Sequence, residues 1–283
     1  MRAFAISALH EPPFPARRHE ATDRVAEETL AWARHFGLIT SGHRLRRADP
    51  AGLAGRACPD VPPAELRLLA DLICWLFVMD DTCDEDGLGD APTRLAPTVA
   101  VLLDVLDRHG DPTAPLPTGG GALGDALDDL CRRVRATAHP GVVLRFASQV
   151  RAYLMALLWE AANREHARVP GLREYVQMRR HTGGVHPTFT LTDLACGGVA
   201  GPALRADPAL VALDALAADL VCWCNDVFSY GKENRAGPDA HNLVSVIAGE
   251  TGGDEAAVRP VLRGRRHWIR ATYDWSRVAA RYA

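Results

Sequence analysis

An acidic cluster, DDTCDE, directly follows the apolar run LLADLICWLFVM and contains Asp80, Asp81 and Asp84. Residues four positions apart lie on one face of a helix, so Asp80 and Asp84 are expected to point the same way. The apolar stripe that ends at Phe77 leads onto this face. A core-facing stripe that ends in carboxylates would bury charge, and this is costly unless the charge is paired or bound to a metal. We therefore interpret the cluster as a candidate cation site.

A second cluster, NDVFSYGKE, follows the apolar run LAADLVCWC. Asn225, Ser229 and Glu233 are spaced by four and share one helix face, onto which the apolar stripe through Val221 continues. Amide, hydroxyl and carboxylate oxygens are ligands of hard cations such as Mg²⁺. An acidic helix end that faces water is the usual explanation of one such cluster. Two clusters favour a metal site, because the ligand pattern would otherwise have to arise twice.

Together the clusters resemble the DDxxD and NDxxSxxxE motifs of bacterial class I terpene synthases. The resemblance covers most of the chain and implies an all-helical pocket with three Mg²⁺ ions, or Mn²⁺ in their place, that bind the diphosphate of a prenyl substrate. It implies that Lys232 contacts this diphosphate. It also implies metal ligands, with Asp80 as the principal one of its motif and its neighbours in support, at Asp80, Asp81, Asp84, Asn225, Ser229 and Glu233.

The segment GLREYVQMRRHTGG adds a third match to this family. The resemblance implies a diphosphate-sensing arginine at Arg179, a linker residue at Thr182 and an effector residue at Gly183. A guanidinium can bind phosphate oxygens through two parallel hydrogen bonds, and adjacent glycines disfavour a continuous helix. The residues alone do not distinguish Arg179 from Arg180, and for Arg180 we expect an ordinary surface position.

The C-terminal segment DWSRVAARY resembles the terminal tryptophan and Arg-Tyr pair of the same family. The resemblance implies that Arg281 and Tyr282 close over the diphosphate and that Trp275 presents its ring to a carbocation. Phe77, one turn before Asp80, is a second candidate for this contact, since aromatic faces attract cations; for both rings, core packing is the alternative. Arg281 follows Asn225 by 56 positions, as if one family helix were missing.

Composition agrees with an all-α enzyme of one domain, residues 1–283, built as a helical bundle around a central cavity. The chain has 283 residues, 48% of them hydrophobic, and its net charge of −3 gives no reason to expect a nucleic-acid partner. Seven cysteines form no secretory pattern, and we expect a cytoplasmic protein without membrane insertion. A homodimer is expected from the resemblance. A further acidic group, DALDD around Asp128 and Asp129, predicts a solvated, salt-bridged helix face.

These observations predict a Mg²⁺-dependent class I terpene synthase that cyclises farnesyl diphosphate to a sesquiterpene hydrocarbon or alcohol. Geranyl and geranylgeranyl diphosphate remain open as substrates. A chain-elongating prenyltransferase would carry a second DDxxD where this chain has NDVFSYGKE. A non-catalytic prenyl-diphosphate binder is the alternative from another class.

Overall fold

The computed structural model describes residues 15–84, 86–197, 201–236 and 241–250, without the side chains of Pro202 and of residues 231–236. Every regular element within these ranges is helical, which confirms the predicted all-α class. A short 3-10 helix spans Leu88–Asp90. The α-helices are α1 (Thr22–His35), α2 (Gly42–Ala48), α3 (Pro50–Ala57), α4 (Pro63–Asp84), α5 (Pro92–Asp107), α6 (Gly121–Thr137), α7 (Pro140–Glu165), α8 (Leu172–Thr182), α9 (Val185–Ala195), α10 (Pro202–Arg205), α11 (Pro208–Ala236) and α12 (Leu243–Glu250).

The described residues group into two compact units. The larger unit comprises Pro15–His166 and Gln177–Cys222. The smaller unit comprises Ala167–Val176 and the described residues from Trp223 onward. The assignment of residues 1–283 to one domain stays a prediction.

The core of the larger unit is built around α4, which contacts α1, α3, α6 and α9. The predicted stripe of α4 is buried as expected: Leu69, Leu72, Ile73 and Leu76 all belong to the core. Burial of a large aliphatic side chain stabilises a fold by about 1.5–3 kcal/mol. Because this stripe packs into the core along α4, the position of the acidic C-terminal turn of the helix is fixed relative to the larger unit.

Helix α7 contacts α5, α6 and α9 in the same unit. It begins with Pro140 at its first turn, where the missing N–H costs nothing. By length and hydropathy alone α7 could cross a membrane, but half of its most apolar window is buried inside the protein. That burial is typical of a core helix.

The DALDD group is salt-bridged as predicted but only partly solvated: Asp125 is exposed, whereas the prediction of solvent exposure is wrong for Asp128. Asp128 is only 4% exposed and pairs with Arg108 and with Arg132. Asp129 accepts a hydrogen bond from Trp32 Nε1 at 2.9 Å and pairs with Arg133 at 3.2 Å. Charges on a buried helix face are retained because each has a partner.

The smaller unit joins the first turns of α8 to the end of the described chain. Leu172 N, at the start of α8, donates to Glu250 Oε1 at 2.7 Å. This bond satisfies one of the amide groups that a helix N-terminus leaves without an intrahelical partner. Apolar side chains of α12 are buried in the same unit, namely Leu243, Val244, Val246 and Ile247.

Candidate functional site

The last turn of α4 presents the first acidic cluster at the surface of the larger unit. Met79 and Cys83 face the core, whereas Asp80 and Asp84 are exposed and Asp81 is partly exposed. Thr82 turns its hydroxyl back to Val78 O at 2.7 Å, which closes the helix end locally. The carboxylates therefore project from a turn whose other side is fixed in the core.

Two of these aspartates already have arginine partners. Arg164 of α7 forms an ion pair with Asp84 and lies 3.8 Å from Glu160, one turn earlier on the same helix. Arg44 lies 3.7 Å from Asp81. Glu160 is buried and brings a further carboxylate to the group. The site thus gathers acidic groups from α4 and α7, and the sequence patterns did not single out Glu160 or Arg164.

These surroundings disfavour the ionised form of Asp80. Crowding by protein atoms is the largest cause that raises the pKa of Asp80 to about 6, and the charges of Glu160 and Asp81 act in the same direction. Arg179 and Arg164 oppose the shift. Asp80 is nevertheless exposed to solvent. A bound cation would relieve the repulsion, since a nearby positive charge favours the ionised form.

The predicted helix break is present between α8 and α9. α8 ends at Thr182, and the chain passes through Gly183 and Gly184 before α9 begins at Val185. Gly184 has φ +63°, and a Cβ there would lie 3.1 Å from Leu76 of α4. A Cβ on Gly183 would lie 2.5 Å from Cys222 Sγ. Glycine is required at the break both for its left-handed backbone and for close approach to neighbouring helices.

Arg179 and Thr182 meet at this break. Arg179 Nη1 lies 3.5 Å from Thr182 Oγ1, and the Arg179 carbonyl accepts from Gly183 N at 3.0 Å and from Cys222 Sγ at 3.4 Å. The positive charge of Arg179 lowers the pKa of Asp80. The larger unit therefore brings the predicted sensing arginine near the first acidic cluster. Its role stays a prediction.

Arg180 is not the ordinary surface residue that we expected. Its guanidinium is only a quarter exposed and pairs with both oxygens of the buried Asp219. Asp219 holds the pKa of Arg180 above its usual value through this hydrogen bond. The sequence offered no sign of this partner, because the pair spans 39 positions and joins α8 to α11.

The second motif lies on α11, where Asn225 is exposed and Ser229 is partly exposed. The Ser229 hydroxyl donates to Asp226 O at 3.4 Å. The expected buried stripe is wrong at Val221, which is 50% exposed. Lys232 and Glu233 belong to the helix by their backbone, but their side chains lie outside the described residues.

Asp226, between the two predicted ligands, is buried and was not predicted to have a role. It is 1% exposed. Its Oδ2 accepts from the Tyr175 hydroxyl at 2.5 Å and from Leu243 N at 3.2 Å. Asn242 Nδ2 donates to the Asp226 carbonyl at 2.8 Å. The only indication in the sequence was that Asp226 is the acidic residue next to Asn225 in NDVFSYGKE. Residue spacing alone does not distinguish a buried carboxylate from a metal ligand.

Of the aromatic and C-terminal residues predicted to lie in the site, the structure describes only Phe77. Phe77 is partly buried and packs against the core of the larger unit. Trp275, Arg281 and Tyr282 lie outside the described residues. Their proposed roles therefore depend on the resemblance alone.

The donor chemistry of both motifs fits a hard divalent cation, since it consists of carboxylate, amide and hydroxyl oxygens. In the described part of the chain, no three His, Cys, Asp or Glu side chains form a complete metal group.

Comparisons with known proteins agree with these features. The family described as "Terpene synthase family 2, C-terminal metal binding" matches residues 71–265. The (+)-T-muurolol synthase of Roseiflexus castenholzii, named as cyclising (2E,6E)-farnesyl diphosphate, is 35% identical over 96% of this chain and 92% of that protein. The 4-epi-cubebol synthase of Streptosporangium roseum, named for the same substrate, is 30% identical over 95% of this chain and 90% of that protein.

Among solved structures, wild-type cucumene synthase superposes with a TM-score of 0.76 at 26% identity. That match covers 94% of this chain and 89% of the cucumene synthase chain. An α-eudesmol synthase structure shares the fold at 20% identity with a TM-score of 0.76.

Proposed function

We propose that this chain, which belongs to the terpene synthase family, ionises farnesyl diphosphate with the help of divalent metal ions and cyclises the carbocation to a sesquiterpene hydrocarbon or alcohol. Its (+)-T-muurolol and 4-epi-cubebol synthase relatives are named for farnesyl diphosphate, and the chain covers about nine tenths of each. The structural observation that carries the proposal is the acidic end of α4, where Asp80 is exposed, crowded by negative charge and close to Arg179.

The metal ligands we propose are oxygen donors from both motifs. Asp80 is the principal ligand of the first motif, with Asp81 and Asp84 in support. Asn225, Ser229 and Glu233 are the ligands of the second. We propose three Mg²⁺ ions, for which Mn²⁺ can substitute. Bound ions of this kind neutralise the diphosphate and make it a competent leaving group.

Arginine and lysine side chains complete the diphosphate site in this proposal. Arg179 contributes a planar guanidinium that can bind two oxygens at once. Lys232, Arg281 and Tyr282 donate further hydrogen bonds. These donors act on the charge that develops as the carbon–oxygen bond breaks and its electron pair leaves with the diphosphate oxygen, so they stabilise the transition state more than the bound substrate.

The cation that remains is stabilised and shielded by neutral groups. Thr182 links Arg179 to the helix break, and the Gly183 amide closes the last turn of α8 by donating to the Arg179 carbonyl. The carbonyl dipoles at this helix end can face positive charge. Phe77 and Trp275 supply aromatic faces, each worth about 0.5–2 kcal/mol to a nearby cation. The reaction ends when the cation loses a proton to diphosphate and leaves a hydrocarbon, or when it adds water and the resulting oxonium ion loses one of the water protons to diphosphate and leaves an alcohol.

We further propose that the protein is a soluble cytoplasmic enzyme of one domain that forms a homodimer. Geranyl and geranylgeranyl diphosphate are the alternative substrates. A prenyl-diphosphate binder without turnover is the alternative function.

Incubation with geranyl, farnesyl and geranylgeranyl diphosphate, each with Mg²⁺ and with EDTA, tests the proposal by gas chromatography–mass spectrometry. An EDTA-sensitive cyclic product from farnesyl diphosphate is expected. Asp80→Asn and Asn225→Ala should abolish this product with unchanged helical circular dichroism. Asp104→Asn, at an exposed position of α5, is the matched control and should retain activity. A cyclic product from another substrate would correct the chain length, and near-normal turnover by both motif variants would refute the metal assignment.

A further inference from the structure

The carboxylate of Asp226 is committed to the protein interior of the smaller unit. It is nearly inaccessible to solvent, and the Tyr175 hydroxyl and the Leu243 amide both donate to its Oδ2. A metal ligand of the proposed site must reach water and substrate. Asp226 is therefore excluded as such a ligand, although its neighbour Asn225 is exposed.

The backbone of the same residue orients a proposed ligand. The Asp226 carbonyl accepts from the Ser229 hydroxyl at 3.4 Å and from Asn242 Nδ2 at 2.8 Å. A serine hydroxyl has one proton to donate and two lone pairs to offer. When the proton is held on this carbonyl, the lone pairs of Ser229 are left for a cation.

Asn242 is itself fixed at the start of α12. Its Oδ1 accepts from Val244 N at 2.9 Å, and its carbonyl accepts from Val246 N at 3.0 Å. It is fully buried. An asparagine in this position caps the helix, so the amide that reaches Asp226 cannot rotate away without loss of the cap.

Tyr175 adds a contact from α8. Its hydroxyl lies 2.5 Å from Asp226 Oδ2 and 3.1 Å from His241 O, and its side chain is buried. The segments that carry Tyr175, Asp226 and Asn242 are thus joined at one buried point.

The buried contacts of Asp226 with Tyr175 and Asn242 determine which face of α11 is exposed. Consecutive helix residues differ by about 100° around the axis, since a turn holds 3.6 residues. When Asp226 is held inward, its neighbour Asn225 must point about 100° away, and Ser229 shares the face of Asn225. A rotation of α11 would move both oxygen donors and break the Asp226 contacts.

We propose that Asp226, held by Tyr175 and Asn242, is a positioning residue that sets the orientation of Asn225 and Ser229 for metal binding. This inference rests on the proposed function, because it assumes that those two residues are ligands. Residues that orient metal ligands typically contribute about 10–100-fold to metal affinity.

Tyr175→Phe tests the inference because it removes one hydroxyl and preserves the ring. We expect the Mg²⁺ concentration for half-maximal turnover, and that for half-maximal thermal stabilisation in the presence of inorganic diphosphate, to rise by about 10-fold. Val246→Ala, in the buried face of α12, is the matched control. It should lower the metal-free melting temperature while the Mg²⁺ requirement stays that of the unsubstituted protein.

Asp226→Ala and the double variant Tyr175→Phe/Asp226→Ala complete a cycle. If both residues act through one contact, the double variant should need little more Mg²⁺ than Asp226→Ala alone. An equal Mg²⁺ requirement in Tyr175→Phe, Val246→Ala and the unsubstituted protein would overturn the inference and leave the proposed function intact. Absence of any Mg²⁺- and diphosphate-dependent stabilisation in the unsubstituted protein would instead overturn the proposed function.

Discussion

The Arg180 guanidinium binds both carboxylate oxygens of Asp219, with Nε 2.7 Å from Oδ1 and Nη2 2.8 Å from Oδ2. Asp219 is buried, and breaking such a pair leaves a charge without its partner. The neighbouring Arg179 has a different environment, at the helix break and within electrostatic reach of Asp80. Adjacent arginines of one helix therefore have separate tasks, one structural and one proposed for diphosphate binding.

Lysine substitution should affect stability at Arg180 and catalysis at Arg179. Arg180→Lys should lower the free energy of unfolding by about 1–3 kcal/mol, because lysine cannot satisfy both Asp219 oxygens. Arg179→Lys should lower kcat by about 100-fold with little loss of stability, since a point charge replaces a bidentate donor. Urea denaturation and steady-state kinetics of both variants measure these effects. The assignment fails if the kinetic loss appears in Arg180→Lys and not in Arg179→Lys.

The raised pKa of Asp80 predicts how metal affinity depends on pH. With a pKa of about 6 instead of the usual 3.8, Asp80 is partly protonated near pH 6, and a metal must displace that proton. In the absence of metal, the folded state binds this proton more tightly than the unfolded chain. That contribution to stability is present at low pH and is lost as the pH rises through about 6.

Mg²⁺ affinity, measured calorimetrically with inorganic diphosphate, should therefore weaken as the pH falls through about 6. Glu160→Gln should lower the pKa of Asp80, because it removes a nearby negative charge, and should move this decline to lower pH. Glu165→Gln, at an exposed position of the same helix, is the control and should leave the profile unchanged. A profile that Glu160→Gln does not move would contradict the electrostatic account.

Gly183 should be intolerant of a side chain because of one identifiable atom. A Cβ there would lie 2.5 Å from Cys222 Sγ, so Gly183→Ala should destabilise the protein by about 1–3 kcal/mol. Cys222→Ala removes the obstructing sulfur. In the double variant we expect less destabilisation than the sum of the single changes, with a coupling of about 0.5–3 kcal/mol.

Chemical denaturation of all four proteins measures this coupling, and strict additivity would show that the sulfur is not the obstacle. Gly184→Ala serves as a contrast. Its cost of about 1–2 kcal/mol arises from φ +63°, so Cys222→Ala should not relieve it.

Phe77 and Trp75, two residues apart on α4, should separate product control from packing. Phe77 is partly exposed, whereas Trp75 is fully buried and donates from Nε1 to Leu123 O at 2.9 Å. Phe77→Ala should change the product mixture or lower the rate of cyclisation. Trp75→Phe should lower the free energy of unfolding by about 1–3 kcal/mol, because the fully buried ring loses packing contacts and its hydrogen bond to Leu123 O, with the product mixture unchanged. Identical products and rates for Phe77→Ala would assign that ring to packing alone.

The local features of this protein are determined by its sequence. Apolar residues recur at helical spacing in the long helices α1, α4, α5, α6, α7 and α11, and this periodicity indicates which face of a segment can be buried. The glycines after Thr182 predicted the break between α8 and α9, since conformational freedom is a property of the residue itself. Pro187 lies in the first turn of α9, where proline is tolerated.

Only the tertiary structure decided which polar side chains are buried and with what partners. Spacing treated Asp226 as part of an acidic motif, yet Tyr175 and the start of α12 enclose it. Spacing likewise placed Asp128 in solvent, whereas Arg108 meets it across 20 positions. Burial and ion pairing depend on residues distant in the chain, and helical periodicity carries no information about which of those distant residues will meet.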